Sequence, residues 1–508
     1  SSITRAYRNG SITAEWQDEP VIDTNKKTIK GVIILSSGFK NIKVDVCNVL
    51  PAGDLNGDFI VDHLDFDILR RLLLGFDVEL AGSADVNDDG VIDIRDLVQL
   101  KKGTELTQYS ALSNVQKRLL EDKKLTIGYL GGSITLGISA GRTSYDNGYF
   151  GENTGDYSRS WVNQTSAWFS EQYPDAEITT VNAGVSDTQT NMGIFRLEDT
   201  LMNTNGHDMP DLVFVEFTSN DWSVGLHQTD DDLQRQVESL FRNIYSLNPN
   251  AQIIVMITAR STSKNHYDIM ANYYGIPIIE AGRVLGQKMT DRGYAHESGG
   301  SYYYTVDDLH PSIYGYDVYA QEIQKYLSSE LVGKEPFGSY FDNRVLMPKA
   351  KWDRLIDQPT IIHPSELEYT KGTLINTPYS LSMFGTGMTT SDIVISSQML
   401  HLTENSSVTF EIEGNTLGIL LQMHSGSDVI IDYEIDGRTT SAYWGSGVPY
   451  SYRIDSSTLA YQRYEHPMSF ILEHTLGSGR HTVTLNFTVP FGQQVDIGGI
   501  LYSADATD

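Results

Sequence analysis

Apolar runs of strand length recur through the middle of the chain. Leu125–Leu130, Ile178–Val181, Leu212–Phe217 and Ile253–Ile257 are apolar enough to be strands buried on both faces. Asp230–Leu247 and Asp317–Leu331 instead repeat apolar residues at helical spacing. Buried strands alternating with amphipathic helices predict a parallel sheet with helices on both faces, over residues 107–335.

The pattern changes on either side. Over residues 336–508 the runs Val408–Ile412, Val429–Ile435 and Thr482–Val489 alternate or stay apolar at strand length. Asp436-Gly437 and Gly477-Ser478-Gly479 are turn signals between them. An all-β sandwich of jelly-roll type is the expected result. No long proline- or serine-rich linker precedes it, so it should pack on the middle segment. Residues 1–49 hold short β-like runs, Thr28–Leu35 and Ile42–Val46, with no readable chemistry. Residues 50–106 hold two acidic loops, each followed by an apolar helical stretch.

The chain of 508 residues carries 37 basic and 66 acidic side chains, a net charge of −29. Such a surface repels phosphate backbones and anionic lipid, so neither nucleic acid nor membrane is an expected partner. The single cysteine, Cys47, allows no internal disulfide and no cysteine cluster for zinc. No apolar run is long enough to span a bilayer. Ser1-Ser2-Ile3-Thr4 does not read as a signal peptide, so an exported chain would have lost one.

The acidic loops give part of the negative charge a purpose. Asp54, Asn56, Asp58, Asp62 and Asp65 occupy positions 1, 3, 5, 9 and 12 of the first loop. Asp85, Asn87, Asp89, Asp93 and Asp96 occupy the same positions of the second, which begins 31 residues later. A calcium loop of the EF-hand type needs oxygen ligands at that spacing, plus a backbone carbonyl at position 7, here Ile60 and Val91. Position 6 usually holds glycine because φ is positive there; Gly90 fits, whereas Phe59 should strain the first loop. Paired loops ending in Asp, each followed by one helix, resemble dockerin modules. The resemblance implies two structural calcium ions and docking to a cohesin of a cellulosomal scaffoldin. A dockerin usually sits at a chain end, and here about 50 residues precede it.

Four stretches stand at or beyond the C-terminal ends of the predicted strands, where open parallel sheets bind ligands. In Gly131-Gly132-Ser133-Ile134-Thr135, glycines allow a tight turn that lifts a serine hydroxyl from the sheet. Gly184 ends another strand, and its bare backbone lets an N–H approach a substrate oxygen. Asn220 in Phe217-Thr218-Ser219-Asn220-Asp221 offers an amide that polarises a carbonyl without adding charge. In Asp307-Asp308-Leu309-His310-Pro311, a carboxylate three residues ahead can accept the imidazole Nδ1–H and leave Nε2 as a base. Taken singly, each stretch is equally well a turn glycine, a helix cap or an acidic surface turn.

Together and in this order they resemble the SGNH (GDSL-like) hydrolase superfamily. The resemblance implies a flavodoxin-like α/β/α domain and an esterase with Ser133 as nucleophile, His310 as base and Asp307 as its orienting acid. It further implies an oxyanion hole from the Ser133 and Gly184 N–H groups and the Asn220 side chain, with no catalytic cofactor. Gly132 replaces the aspartate of the usual Gly-Asp-Ser, a residue outside the triad. The combination of modules looks like a secreted bacterial cell-wall esterase, cellulosome-bound, that removes acetyl groups from xylan, mannan or pectin. Trp222 and Tyr304 are candidate sugar-binding aromatics, and Tyr443, Trp444 and Tyr450 are candidates on the sandwich. Two other readings stay open at this level. One is a lipase, thioesterase or arylesterase with the same chemistry; the other is a non-catalytic carbohydrate-binding protein carried by the scaffold.

Overall fold

The structure is a computed structural model. It describes the chain outside residues 1–12, 17–20, 24–27, 38–39, 48–52, 58–60, 62, 74–77, 104–108, 143–156, 187, 203–206, 222–228, 260–264, 293–302, 307–308, 337–346, 384, 387–390, 425–427, 441, 445–447, 451, 456–466, 474–475 and 505–508. Only the backbone is described for residues 13–16, 21–23, 28–37, 40–47, 63, 101–103, 265, 382–383, 385–386, 391–393, 423, 428, 439–440, 442–444, 448–450, 452–455, 467–468 and 470. The chain divides into two compact units, residues 1–109 with 337–342 and residues 110–336 with 343–508.

In the first unit the β-like runs form strands β1 (Thr13–Trp16), β2 (Val21–Asp23), β3 (Thr28–Ser37) and β4 (Lys40–Cys47). All pairings are antiparallel and made through β3. Helices α1 (His63–Leu73) and α2 (Ile94–Gly103) each follow one acidic loop. Leu55, Leu69, Ala84, Leu97 and Leu100 bury together between them. The two loops close in the same way. Asp65 Oδ1 accepts the N–H groups of Leu55 and Asn56, at 2.6 and 3.0 Å. Asp96 Oδ1 accepts those of Val86 and Asn87, at 2.8 and 3.1 Å. A carboxylate at position 12 thus ties back positions 2 and 3 of each loop. Gly90 has φ +84°, the left-handed conformation that position 6 demands.

In the second unit, β5 (Lys124–Gly131), β6 (Glu177–Gly184), β7 (Leu212–Glu216), β8 (Gln252–Met256) and β9 (Ile278–Ile279) form a parallel sheet in the order β6-β5-β7-β8-β9. That is the doubly wound order, with a switch between β5 and β7. Its helices are α3 (Ser113–Lys117), α4 (Ser133–Leu136), α5 (Trp161–Gln172), α6 (Thr190–Phe195), α7 (Asp230–Leu247), α8 (Asn265–Tyr274), α9 (Ala281–Asp291) and α10 (Ile313–Leu331). Strand residues alternate between the two faces. Tyr129, Phe214, Ile254 and Met256 pack with α5, α9 and α10, whereas Leu130, Val215, Ile253 and Val255 pack with α6, α7 and α8. The three-layer flavodoxin-like fold expected from the sequence is the fold of this domain.

The C-terminal region is antiparallel and β-rich, in keeping with the jelly-roll expectation. Its long strand Ser406–Met423 pairs with Arg480–Thr488 along its first half, and with Val495–Ala504 along its second. The register shifts at Gly414/Leu417, so one strand serves two sheets around a single core. Asp436 and Gly437 both have positive φ, at 52° and 72°, as a two-residue hairpin requires.

This region shares a core with the hydrolase sheet. Tyr379, Leu381, Met399, Leu420, Ile471 and Leu501 bury in the same cluster as Met192, Phe195 and Phe241. The connecting segment is fastened to α7. Glu238 accepts the N–H groups of Lys351 and Trp352, at 2.7 and 2.8 Å, and Asn243 Nδ2 donates to Ile356 O at 2.6 Å. Gly385–Thr386 adds an antiparallel edge beside β6 at Val181 and Asn182. The absence of a linker and the packing have one physical meaning: the sandwich cannot swing away without opening a core.

Candidate active site

The strand β5 ends in Gly131, and the chain turns at once into α4, whose first residue is Ser133. The tightness of this turn is set by what surrounds it. A Cβ on Gly131 would lie 2.1 Å from Thr135 Oγ1 and 2.5 Å from Glu216 O. One on Gly132 would lie 2.7 Å from Asn220 Oδ1. The Asn220 amide therefore sits against the backbone just before Ser133. Any side chain in place of Gly132 would require the Asn220 amide to shift.

His310 lies 177 positions further on, in a pinched loop before α10. Val306 N–H donates to His310 O at 2.9 Å, and Thr305 bridges Pro311. Ser312 then caps α10. His310 Nε2 lies 2.8 Å from Ser133 Oγ, and both residues are almost fully buried. The loop is tied to the Ser133 turn through α10, since Tyr316 OH donates to Ile138 O at 2.7 Å. Asp307 lies outside the described residues.

Asn220 follows β7 and is buried. The neighbouring Asp221 anchors its loop. The Asp221 carboxylate accepts the Thr190 N–H at 2.9 Å and the Thr190 hydroxyl at 2.8 Å, and it lies 3.1 Å from His266 Nε2. Sequence reasoning did not single out Asp221, His266 or Thr190; the acid directly after Asn220 was the available signal.

Gly184 ends β6, and the structure gives its missing side chain a different reason from the one expected. A Cβ there would lie 2.3 Å from Leu136 N and 2.7 Å from Thr135 C, so the glycine lets β6 touch the backbone of α4. Its N–H donates to Asn182 Oδ1 at 2.9 Å. It can serve an oxyanion only by exchanging that acceptor. Gly184→Ala is therefore expected to disturb the Ser133 turn itself. Overpacking against backbone costs about 1–3 kcal/mol or more, and activity should fall with the thermal midpoint in a scanning calorimetry and ester-hydrolysis comparison.

Two buried ionisable groups lie directly under this site, and neither was picked out in the sequence. Arg196 is fully buried. It donates to Ala183 O at 2.6 Å and Gly131 O at 3.0 Å, holding the ends of β6 and β5 together. Burial lowers its pKa to about 9. Glu216 is fully buried at the end of β7, and burial pushes its carboxyl up to about 7. An acid inside the apolar run Leu212–Phe217 was the visible signal for it.

The aromatic candidates fare differently. Tyr304 is half-buried and packs against the core formed by α5, α9 and α10. The neighbouring Tyr303 ring stacks on Tyr314 at 4.1 Å and carries the Arg292 guanidinium at 3.7 Å, so both its faces are covered. Trp222 and the side chains of Tyr443, Trp444 and Tyr450 lie outside the described residues.

In the first unit, the loop oxygens suit a hard cation by type. Among the described residues, however, no three acidic or histidine side chains are gathered into a cage. Arg95 lies between two of them in the second loop, 2.7 Å from both Asp89 and Asp93, and its hydrogen bond holds the Asp93 carboxyl below its ordinary range. The Gly90 turn of the second loop fits calcium; Asp89 and Asp93 must exchange Arg95 for it. Asp58, Ile60 and Asp62 of the first loop lie outside the described residues.

Comparison with known proteins agrees with this division. Residues 52–103 match the family model described as dockerin type I domain, and residues 129–318 match that of the GDSL-like lipase/acylhydrolase family. A two-domain esterase active on acetylated mannans, crystallised with mannopentaose, superposes with a TM-score of 0.57 at 15% identity, over 79% of this chain and 97% of that one. The same description without the sugar gives 0.57 at 16% identity, over 79% and 98%. At such identity the likeness shows the fold alone. An acetylxylan esterase from Geobacillus stearothermophilus covers 40% of this chain and 93% of its own, at 18% identity and a TM-score of 0.29. A comparison with curated protein sequences finds no match. The chain contains a GDSL-like lipase/acylhydrolase domain preceded by a dockerin type I domain, and it is a carboxylic ester hydrolase. Dockerin type I domains bind calcium.

Proposed function

We propose that this protein is an extracellular serine esterase, carried on a scaffold through its dockerin domain, that removes acetyl groups from plant cell-wall polysaccharide. One observation carries the chemistry: a buried serine hydroxyl 2.8 Å from an imidazole nitrogen, beside a buried amide, at the C-terminal edge of a parallel sheet. The likeness of the whole hydrolase and sandwich pair to an esterase active on acetylated mannans supports the choice of acetylated polysaccharide. Among the described residues, no helix is long and apolar enough to cross a membrane.

In this reading His310 Nε2 takes the Ser133 proton as Oγ attacks the ester carbonyl carbon. The carbonyl π pair moves onto oxygen, where the Ser133 N–H and the Asn220 amide receive it. Gly184 joins them only by releasing Asn182. Asp307 is the acid assigned to orient the imidazolium. The tetrahedral adduct collapses, the alkoxide leaves with the proton from His310, and acetyl remains on Ser133. Water then attacks through the same base and frees acetate.

In the dockerin domain, Asp54, Asn56, Asp58, Asp62, Asp65 and the Ile60 carbonyl would hold one calcium ion. Asp85, Asn87, Asp89, Asp93, Asp96 and the Val91 carbonyl would hold a second. So held, the loops would present α1 and α2 to a cohesin. Binding to the folded state alone raises stability with ligand concentration. Calcium should therefore raise the melting temperature of this unit above that in chelator, as read by calorimetry. An unchanged transition would remove calcium from the account.

The substrate assignment is tested by mass spectrometry of acetylated mannan and xylan oligosaccharides before and after treatment. Stepwise loss of acetyl groups is expected. Intact acetylation, alongside rapid cleavage of long-chain acyl esters, would move the protein to the lipases.

A further inference from the structure

Glu216 makes a fully buried link between loops that the reaction must keep in register. Its Oε2 accepts the Thr135 hydroxyl at 2.8 Å, two residues after Ser133 in α4. Its Oε1 accepts the Thr258 hydroxyl at 2.5 Å, just beyond β8. Thr258 in turn meets the Asn220 loop twice. Its Oγ1 lies 3.1 Å from Ser219 Oγ, and its N–H donates to Thr218 Oγ1 at 3.2 Å. It also meets the helix behind His310, because Tyr319 OH donates to Thr258 O at 3.1 Å. One carboxyl thus joins the Ser133 turn to a residue held by both the Asn220 loop and α10.

A buried carboxyl is a poor way to stabilise a fold, since an apolar side chain of the same size avoids the desolvation cost. What it provides is geometry. Two oxygens in one plane reach hydroxyls on two separate segments, and a hydroxyl can donate or accept, so both bonds survive in either protonation state.

We propose that Glu216 is a positioning residue that sets the spacing between the Ser133 turn and the Asn220 loop, so that hydroxyl and amide face one ester carbonyl. The inference rests on the esterase reading of that site. It assigns Glu216 no contact with substrate; it acts through Thr135 and Thr258.

The test compares steady-state hydrolysis of p-nitrophenyl acetate with thermal melting in the full chain. Glu216→Leu removes both bonds and leaves an apolar group of similar size. A purely structural role predicts unchanged or higher melting with unchanged kcat. The positioning role predicts kcat lower by roughly 10²-fold, the scale of a misplaced reacting group, with little change in KM and no loss of melting temperature. Glu216→Gln has one acceptor and one donor for the two hydroxyls, and should recover most of kcat. Thr135→Val breaks the same link from the other end and reads it even if Glu216→Leu does not fold, whereas Thr135→Ser should retain activity. The Glu216→Leu/Thr135→Val double variant should be no slower than the slower single one, because both remove one interaction. Wild-type kcat in Glu216→Leu, an additive double variant, or a Glu216→Gln loss as deep as that of Glu216→Leu would overturn the inference alone. A wild-type chain that hydrolyses no acetate ester would overturn the esterase reading and take this inference with it.

Discussion

Ser133→Ala is expected to lower kcat for acetate-ester hydrolysis by roughly 10⁴- to 10⁶-fold, the range for removing a nucleophile that works as a unit with its base. The fold should survive, because the change deletes one oxygen at the start of a short helix whose backbone is held independently. Tyr316 OH from α10 and Trp161 Nε1 from α5 both donate to Ile134 O, and Asn182 Nδ2 donates to Thr135 O. The hydroxyl lies 2.8 Å from His310 Nε2, so its loss costs about 1–3 kcal/mol at most if the imidazole is left without that partner. His310→Ala should reach the same floor, and the double variant should fall no further. Circular dichroism and melting curves alongside the kinetics separate lost chemistry from lost structure. Retained hydrolysis in folded Ser133→Ala would end the assignment of the nucleophile.

The second large effect belongs to Asn220. Its amide presses against Gly132, one residue before Ser133, and its loop is pinned by Asp221 to the start of α6. A donor so placed gains most when the carbonyl oxygen becomes an oxyanion, so its removal acts on the transition state more than on bound substrate. Asn220→Ala should lower kcat by roughly 10²- to 10³-fold while KM stays nearly constant. The expected effect is large because the Gly184 N–H already has an acceptor in Asn182, which leaves fewer competing donors. A rise in KM at constant kcat would instead make Asn220 a ground-state binding group.

The frame of the hydrolase domain could be read from the chain because its signals are local. The apolar runs at Leu125–Leu130 and Leu212–Phe217 fall within one residue of β5 and β7. The boundaries of α7 coincide with the expected helix, since Thr229 and Asp232 form a capping box and the apolar face is strongly periodic. Helix α8, Asn265–Tyr274, was missed: its run of aromatic and β-favouring residues carries little helical periodicity.

The site was legible only as four separate stretches. Their convergence depends on a switch point in strand order, which the alternation of strands and helices implies without fixing which loops meet. The supporting shell was illegible for the same reason. Glu216 and Thr135 are 81 positions apart, and Arg196 and Gly131 are 65 apart, so no local pattern joins them. Gly184 was noticed for a sound reason, a backbone that something must approach. The something is the α4 backbone, which no single-sequence argument identifies.

The packing of the sandwich limits how the two parts of the second unit can work. Ser469 Oγ donates to Asn191 Oδ1 at 3.1 Å, next to Thr190, which donates to the Asp221 carboxylate. The sandwich thereby touches the helix that anchors the Asn220 loop. This arrangement favours a fixed partner of the hydrolase over a freely moving binding module.

The proposed hydrolysis requires Ser133 and His310 to act as one nucleophile–base pair in the folded protein. Incubation with a fluorophosphonate, followed by peptide mass spectrometry, asks this of the molecule directly. The expected result is a stoichiometric adduct on the peptide containing Ser133, formed quickly in the wild type and orders of magnitude more slowly in His310→Ala. An adduct on another serine, or labelling of Ser133 at the same rate without the imidazole, would contradict it.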